Sequence, residues 1–360
     1  LEVDRSDRSH PRVSASVKQA MEKRERKHGL IGKLLIFSAT LVWGSSFVIL
    51  KDTLSELGNG HFTFFVLSLR FIIASAIFAA FCAKRFSKFN KQILFDGMAL
   101  GGILFLAYAF QTVALNFTTP SKNAFLTEVY CVLVPFLSWL IFKKKPSPKN
   151  FVAAFVCLAG VVIIAFFGKT EKASNETLGD SLTILCGFFY ALQMIFISFF
   201  TERDDVMLLL FVEIFTVAIL CLATSAVWEF PRHAGELVMS GEAVWKIIYL
   251  GVLATGYAQF AQTYGQKFTS ATTTSIIMCF EGVFGVVFEF IFGQNNLNAF
   301  IIIGFSLIFL TLIINETDVG AIYRKIEDRK KCVAGDIAES ASGGAPQGKK
   351  QEEKTDEENN

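Results

Sequence analysis

Ten apolar stretches follow one another along the chain, and each is long enough to form a helix that crosses a bilayer. A hydrocarbon core of about 30 Å requires about 20 apolar residues in a helix, within a range of about 17–25. The alternation of polar and apolar residues that is typical of barrel strands is absent. Since lipid cannot satisfy backbone polar groups, the pattern predicts an all-α membrane protein with ten transmembrane helices. These segments, numbered 1 to 10, cover residues 34–50, 62–82, 93–115, 122–142, 151–167, 178–200, 206–228, 245–265, 270–292 and 299–315.

Charged residues are concentrated at the two ends of the chain. Residues 1–33 and 316–360 hold 33 of the 66 Asp, Glu, Lys and Arg residues, although these two ranges contain only 78 of the 360 positions. The residues between them are too apolar for a water-soluble fold, and the composition argues against a nucleic-acid-binding protein. We interpret residues 1–33 as a basic tail, with 1–20 as sequence upstream of a start at Met21, and residues 316–360 as a disordered tail.

The distribution of Lys and Arg between the loops predicts the orientation in the membrane. The side that carries the amino terminus holds 20 of these residues close to the segments, whereas the opposite side holds 6. Because cytoplasmic loops carry the excess of positive charge, we expect both termini in the cytoplasm. The expected location is the cell membrane, plasma or inner, which makes the lipid bilayer the first partner of the chain.

The two halves of the chain show an internal repeat. At an offset of 151 residues two dipeptides recur, Gln111-Thr112 as Gln262-Thr263 and Phe117-Thr118 as Phe268-Thr269. The same offset places Tyr130 on Glu281. Each half, 34–168 and 178–315, contains five segments, and this odd number inverts the second half relative to the first. Two inverted five-helix repeats are typical of transporters that alternate around a site between the halves.

Motifs in both halves are similar to those of one transporter family. They are Trp43-Gly44-Ser45-Ser46-Phe47 with Lys51, Arg70-Phe71, Thr119 to Leu126, Gly179-Asp180, Gln262 to Ser270, and Phe280-Glu281-Gly282-Val283-Phe284. In these positions, over residues 32–315, the chain resembles the EamA family of the drug/metabolite transporter superfamily. The resemblance implies a ten-helix carrier of small metabolites, often an exporter. Two departures are Gly282, where the family usually has proline, and Gly293-Gln294, where it usually has Gly-Glu.

Ionisable residues inside a membrane segment are costly, and they therefore mark candidate functional positions. Glu281, halfway along segment 9, is either a proton-titratable or cation-binding carboxylate or a hydrogen-bonding group that locks two helices. Glu128 is either an outward gate or substrate-amine contact, or a solvated group of an outer vestibule, which we favour. Arg70 and Glu213 lie near the midplane, at equivalent depths of segments 2 and 7. Arg70 either binds a substrate carboxylate or has a packing role, and an Arg70–Glu213 ion pair is compatible with the sequence.

Polar residues also form stripes at helical spacing, and such stripes cannot face lipid. The longest stripe, in segment 8, consists of Thr255, Gln259, Gln262, Thr263 and Gln266. We interpret these faces as the lining of a cavity between the halves, and we expect Pro135 to kink segment 4 and act as a hinge. The substrate-binding candidates are Trp43, Arg70, Tyr108, Gln111, Tyr130, Tyr190, Gln193, Gln259, Gln262 and Glu281. The coupling or gating candidates are Glu281, Glu128 and Pro135.

Signals for catalysis or cofactors are absent from the sequence. The four histidines are scattered, the seven cysteines form no Cys-x-x-Cys pair, and no phosphate loop or nucleophile motif occurs. We therefore expect no enzyme, no cofactor and no metal site. The leading hypothesis is an alternating-access carrier that exports a small polar metabolite, with an amino acid as one candidate and protons as a candidate coupling ion. An uncoupled facilitator, an importer, and a non-transporting scaffold or receptor are the alternatives.

Overall fold

The computed structural model describes residues 15–58, 60–143, 147–167, 176–292 and 299–316. Every regular element in these ranges is helical, and no strand occurs among them. Seven helices there are long and apolar enough to cross a membrane. The structure therefore confirms the predicted all-α membrane fold. The predicted tails, apart from residues 15–33 and residue 316, and the dipeptide Gly293-Gln294 lie outside the described residues.

The described residues of the first half form six α-helices and one short 3₁₀ helix, Phe86–Lys88. The α-helices are α1 (Ala15–Glu56), α2 (Thr63–Cys82), α3 (Lys91–Leu115), α4 (Pro120–Thr127), α5 (Tyr130–Phe142) and α6 (Pro148–Phe167). Helix α1 starts well before the first apolar segment, and the polar residues ahead of position 34 belong to the same continuous helix. Segment 4 corresponds to two helices, α4 and α5, rather than to one.

The second half repeats this order with further interruptions. Its helices are α7 (Glu176–Phe200), α8 (Val206–Thr224), α9 (Phe230–His233), α10 (Gly241–Tyr249), α11 (Ala258–Gln266), α12 (Ala271–Met278), α13 (Phe280–Ile291) and α14 (Ala299–Glu316). Two π-helical stretches, Ser225–Glu229 and Leu250–Tyr257, join α8 to α9 and α10 to α11. Each of the ten predicted segments thus coincides with a helix or with consecutive helical pieces.

Segments 4 and 9 are broken at equivalent places. Helices α4 and α12 begin and end 151 residues apart, which is the offset of the sequence repeat. The hydroxyl oxygen of Thr119 accepts a hydrogen bond from the N–H of Lys122, and that of Ser270 accepts one from the N–H of Thr273. Since an oxygen at this position satisfies a free helix donor, the same cap starts both short helices. The shared geometry supports the repeat that the sequence predicts.

The predicted kink at Pro135 stays a prediction, and the interruption of segment 4 lies at a different position. Helix α5 continues through Pro135, and the interruption lies at Glu128-Val129, before α5 begins. The residue equivalent to Pro135 in segment 9 is Val286, yet segment 9 is broken at the corresponding point. A proline is therefore not what causes these breaks, and within α5 it only removes the hydrogen bond to the carbonyl of Cys131.

Close helix contacts hold the two halves together. Helix α1 of the first half packs on α11 and α13 of the second, and α3 packs on α7 and α8. A Cβ atom added to Gly32 or to Gly265 would lie 2.6 Å from the carbonyl oxygen of the other residue. Because lipid provides no hydrophobic drive between helices, such backbone contacts supply much of the association. The helices of the two halves therefore interdigitate around the centre of the protein.

Gly101 and Gly102 are neighbours on α3 and form a matched test of this packing. A Cβ at Gly101 would lie 2.5 Å from Thr216 Cβ and 2.7 Å from the carbonyl oxygen of Glu213, whereas a Cβ at Gly102 meets nothing within 4 Å. We expect Gly101→Ala to destabilise the detergent-solubilised protein by about 1–3 kcal/mol through overpacking. Gly102→Ala should be neutral or slightly stabilising, because alanine favours helices. Apparent melting temperatures compare the two variants, and equal effects would contradict the packing described.

Candidate functional site

A buried arginine lies at the centre of the helix bundle. Arg70 of α2 is 1% exposed, and its Nε donates a hydrogen bond to Thr255 Oγ1 at 2.7 Å. Its guanidinium carbon lies 5.1 Å from the centroid of the Tyr108 ring, within the range of a cation–π interaction. Among the described residues, none accepts a hydrogen bond from Nη2 of this arginine, which is buried. The guanidinium therefore keeps a donor for a group that the surrounding helices do not supply.

The π-helical stretch Leu250–Tyr257 positions the groups that meet this arginine. Thr255 Oγ1 donates to the carbonyl oxygen of Leu250, five residues earlier, at 2.9 Å. The carbonyl oxygen of Ala254 accepts a 2.7 Å hydrogen bond from the indole Nε1 of Trp43 on α1. Helical stretches of this type frequently occur at functional sites. This stretch of segment 8 is hydrogen-bonded to side chains of α1 and α2, namely Trp43 and Arg70.

Tyrosines and amides of three helices face one another beside Arg70. Tyr190 Oη donates to Gln111 Oε1 at 2.9 Å, and Gln259 Nε2 donates to Tyr108 Oη at 3.1 Å. The rings of Tyr108 and Tyr190 meet edge to face, with centroids 5.7 Å apart. The polar stripes that the sequence predicts on segments 3, 6 and 8 are thus brought together by the fold.

A chain of hydrogen bonds leads from this layer to Glu213. Gln262 Nε2 donates to Gln193 Oε1 at 3.3 Å, and Gln193 Nε2 donates to Glu213 Oε1 at 2.9 Å. Glu213 is fully buried in α8. The Arg70–Glu213 ion pair that the sequence allows is not formed, because Arg70 bonds to Thr255 and Glu213 bonds to Gln193.

Eight of the ten candidate substrate-binding residues line a single internal cavity. The free volume of this cavity is about 20 Å³, roughly the room that one water molecule needs. Its candidate lining residues are Trp43, Arg70, Tyr108, Gln111, Tyr130, Tyr190, Gln262 and Glu281. Gln193 and Gln259 lie one hydrogen bond behind this lining, on Gln262 and Tyr108 respectively. The lining comes from α1, α2, α3, α7 and α11 as well as from both broken segments, so both halves contribute to it.

Five further residues line the cavity although the sequence analysis did not select them. They are Ser46, Phe47, Leu50, Thr127 and Met278. Ser46, Phe47 and Leu50 follow Trp43 at intervals of three, four and seven residues, which is one face of a helix. Extending the choice of Trp43 along its helix face would therefore have identified them. Thr127 and Met278 are repeat-equivalent, and each ends the short helix that precedes a break.

Glu281 faces the cavity from the start of α13. Its side chain is 8% exposed, and among the described residues none donates a hydrogen bond to its carboxylate. The break at Cys279 places this carboxylate in the first turn of a helix, where the helix dipole favours a negative charge. The other acidic residue on this helix face, Glu289, differs because its carboxylate accepts hydrogen bonds from the N–H and the hydroxyl of Ser121. Glu281 thus has the freer carboxylate of the two.

The expectation that Glu128 is a solvated vestibule group is wrong. Glu128 is 1% exposed, and its Oε1 accepts a 2.7 Å hydrogen bond from the backbone N–H of Gly282. A Cβ at position 282 would collide with this Oε1 and with Phe125. A proline at position 282, which is usual in the family that the chain resembles, has no N–H to donate. The departure from the family pattern is therefore matched by a contact that joins segment 4 to segment 9.

The expectation of no metal-binding group was based on spacing along the sequence. In the described residues the fold gathers three sets of ligand-type side chains, each within 4.8 Å. They are Cys131 with Cys157 and Cys279, His61 with His233 and Glu236, and Asp52 with Glu56 and Glu242. Each set combines residues from distant parts of the chain, so no local sequence motif indicates it. None of the three belongs to the lining of the central cavity.

A central cavity lined by residues of both halves of the chain is typical of multi-pass membrane transport proteins. Residues 30–166 and 177–317 each match the EamA-like transporter family. The two matches span most of the chain, and the protein belongs to that family. The resemblance inferred from the sequence motifs is thereby confirmed.

Related proteins are also described as transporters. Two proteins of Archaeoglobus fulgidus, each described as an uncharacterized transporter, are 27% and 28% identical to this chain. The first match covers 69% of this chain and 74% of the relative, and the second covers 71% and 87%. A solved crystal structure of a protein shares the fold, with a TM-score of 0.65, 18% identity, and coverage of 82% of this chain and 98% of that chain. The protein is thus a membrane transporter by family.

The contact between Glu128 and Gly282 can be tested with a double-mutant cycle. Position 282 is the third residue of α13, where proline fits a helix, so the main expected cost of Gly282→Pro comes from the lost bond and the collision with Glu128. We expect Gly282→Pro to cost about 1–3 kcal/mol alone. In a Glu128→Ala background the same change should cost clearly less. Equal shifts of the apparent melting temperature in both backgrounds would show that the contact contributes nothing.

Proposed function

We propose that the central cavity binds a small zwitterionic metabolite, such as an amino acid, and that the protein exports it by alternating access. The observation that carries this proposal is the pair of opposite charges that line one cavity, which must widen to admit such a ligand. Arg70 and Glu281 both line it, and each has hydrogen-bonding capacity that the described protein groups leave unused. A ligand with one carboxylate and one ammonium group satisfies both residues at once.

The remaining lining residues suit such a ligand. Trp43, Tyr108, Tyr130 and Tyr190 provide aromatic surface for an apolar side chain. Gln111 and Gln262 provide amide groups at the cavity wall, which fix orientation through hydrogen bonds. Because a buried charge without a partner is strongly unfavourable, a neutral apolar molecule would leave both charged residues unsatisfied. The cavity chemistry therefore favours a polar, doubly charged substrate over a hydrocarbon-like one.

Contacts at one end of the bundle support a closed outer side. We call the end of α1 that carries Glu56 the distal face, and the charge pattern of the loops predicts that it faces outward. There Lys246 of the second half pairs with Asp52 and Glu56 of the first half at 2.5 and 3.0 Å, and Lys122 pairs with Asp180 at 2.9 Å. Opening this face requires these pairs between the halves to separate, which is the motion that alternating access demands.

Proton coupling is the finer part of the proposal. The Glu281 carboxylate can hold either a proton or the substrate ammonium group, but not both. Entry of a proton from the outer side would then release the substrate outward, and the carboxylate would lose the proton on the inner side. The competing candidates are an uncoupled facilitator and an importer of the same substrate class, in which Glu281 binds substrate without exchanging protons. A scaffold without transport activity is the candidate from a different class.

Substrate and direction can be identified together. Culture media of cells that overproduce the wild type, the Glu281→Gln variant or an empty vector are compared for small metabolites. We expect a compound with both an amino and a carboxyl group to accumulate only with the wild type. No difference between wild type and empty vector would contradict export and redirect the search to uptake.

Substitution of Arg70 tests recognition of the substrate carboxylate. Hydrogen bonds to charged groups contribute about 1.5–3 kcal/mol, so Arg70→Gln should weaken substrate binding roughly 10- to 100-fold. The measurement is substrate counterflow in proteoliposomes, with the compound identified in the media. The matched control is Arg85→Gln, since Arg85 is half-exposed and pairs with Asp205 away from the cavity. Unchanged affinity in Arg70→Gln would exclude the carboxylate-binding role.

Substitution of Glu281 tests proton coupling. Glutamine keeps the size of the side chain but cannot release a proton, so accumulation driven by a pH gradient should be lost in Glu281→Gln. Residual counterflow should also lose the pH dependence of the wild type. Glu213→Gln serves as the control, because Glu213 is equally buried but bonds to Gln193 and does not line the cavity. If Glu281→Gln transports with the wild-type pH dependence, coupling through this residue is ruled out.

A further inference from the structure

Two histidines and a glutamate meet at the distal face, away from the central cavity. His61 Nδ1 lies 2.6 Å from Glu236 Oε2, and His233 Nδ1 lies 3.1 Å from Glu236 Oε1. The two imidazole rings are stacked, with centroids 4.0 Å apart and planes at 24°. The Nδ1 atoms of both imidazoles therefore lie within hydrogen-bonding distance of one carboxylate.

The three residues come from both halves of the transporter. His61 lies in the turn between α1 and α2, whereas His233 ends α9 and Glu236 ends the short 3₁₀ helix Ala234–Glu236. Their side chains are 45%, 29% and 51% exposed, so an ion from solution can reach them. His233 and Glu236 are three residues apart on consecutive helical turns, which fixes two ligands relative to each other.

In the described residues, no Lys or Arg side chain forms an ion pair with the cluster of His61, His233 and Glu236. The neighbouring acidic cluster of Asp52, Glu56 and Glu242 has the ammonium group of Lys246 at its centre, within 3.0 Å of each carboxylate. The cationic side chain nearest in sequence to His233 is that of Arg232, and it contacts Trp228 instead of Glu236. Its Nη1 donates to the Trp228 carbonyl oxygen at 2.8 Å, and its guanidinium lies 4.0 Å from the centroid of the Trp228 ring. The carboxylate of Glu236 thus has imidazoles as its partners, and no Lys or Arg ion pair to it occurs in the described residues.

We propose that His61, His233 and Glu236 bind a Zn²⁺ ion. Imidazole nitrogen and carboxylate oxygen are preferred zinc ligands, at about 2.0–2.2 Å from the metal, with water completing a tetrahedron when three protein groups bind. Two ligand atoms on such an ion lie about 3.3 Å apart. The observed Nδ1–Oε separations are 2.6 and 3.1 Å, and all three ligand atoms lie within 4.8 Å of one another. The two stacked rings must rotate about their side-chain torsions so that one ion lies in both ring planes.

A bound ion joins the two halves at the distal face. It connects the turn that begins α2 to the segment that follows α9, beside the Lys246 ion pairs that also join the halves there. If that face opens during transport, Zn²⁺ supplied from that side stabilises its closed state. This consequence rests on the proposed function, whereas ion binding itself does not.

Calorimetric titration of the full-length protein with zinc chloride tests the site. The protein is purified in detergent through an affinity tag that contains no histidine, because a histidine tag would itself bind zinc. We expect a zinc equivalent in the wild type whose affinity falls more than about tenfold in His61→Asn, His233→Asn and Glu236→Gln, since even groups behind a metal ligand contribute 10- to 100-fold. All three residues lie at the surface, and gel filtration verifies that each variant is folded.

Two control variants separate this site from the other candidate clusters. Glu242→Gln alters the neighbouring acidic cluster, and Cys157→Ser alters the buried set of three cysteines. Both should retain the zinc equivalent that the histidine variants lose. Identical binding in the wild type and His61→Asn would overturn the proposal, and so would loss of the equivalent in either control alone.

Transport measurements test independently whether bound zinc stabilises the closed state of the distal face. Zinc added to the distal side of proteoliposomes should inhibit wild-type flux and should inhibit His61→Asn at least about tenfold less potently. Each variant is compared with its own zinc-free flux. If zinc binds but does not inhibit flux, the metal site is kept and the stabilisation of the closed state is rejected. If no variant shows any flux, the result contradicts only the proposed transport function.

Discussion

The hydrogen bond from the Gly282 N–H to the Glu128 carboxylate joins the two places where a membrane helix is interrupted. Inside a bilayer an interrupted helix exposes backbone donors and acceptors, and these must find partners within the protein. Glu128, at the break in segment 4, supplies an acceptor for the first turn of α13 at the break in segment 9. This pairing places the start of α13 and the start of α5 next to each other. As a result Tyr130 and Glu281, which are repeat-equivalent, both reach the central cavity.

The same rule explains the polar lining of the cavity. A stripe of amides and hydroxyls in an apolar helix is tolerated only where it meets another polar stripe. Segments 3, 6 and 8 supply such stripes, and their tyrosines and glutamines pair across the helices. In the π-helical stretch, the carbonyl oxygen of Ala254 accepts a hydrogen bond from the Trp43 indole. The lining groups therefore hold one another in position, while Arg70 and Glu281 keep capacity for a ligand.

Sequence patterns predicted the helices and most of the candidate lining, because both depend on local hydrophobic periodicity. The features that escaped prediction depend on contacts between distant residues. Glu128 was placed near solvent from its distance to the end of an apolar segment, but the break in segment 9 brings Gly282 against it and buries it. Pro135 suggested a kink by its chemistry, yet the repeat shows that the break forms without a proline. His61 and His233 looked scattered because only the fold brings the turn after α1 to the end of α9.

The backbones of the two halves are alike, but their charges at the centre are not. Segments 2 and 7 carry Arg70 in the first half and Glu213 in the second, and the starts of α5 and α13 carry Tyr130 and Glu281. Glu213 bonds to an amide behind the lining, and Tyr130 has no charge to offer, so each half contributes one available charge. Arg70 comes from the first half and Glu281 from the second. In the proposed carrier, a ligand that bridges the two residues binds both halves at once, and its binding therefore depends on their relative position, as alternating access requires.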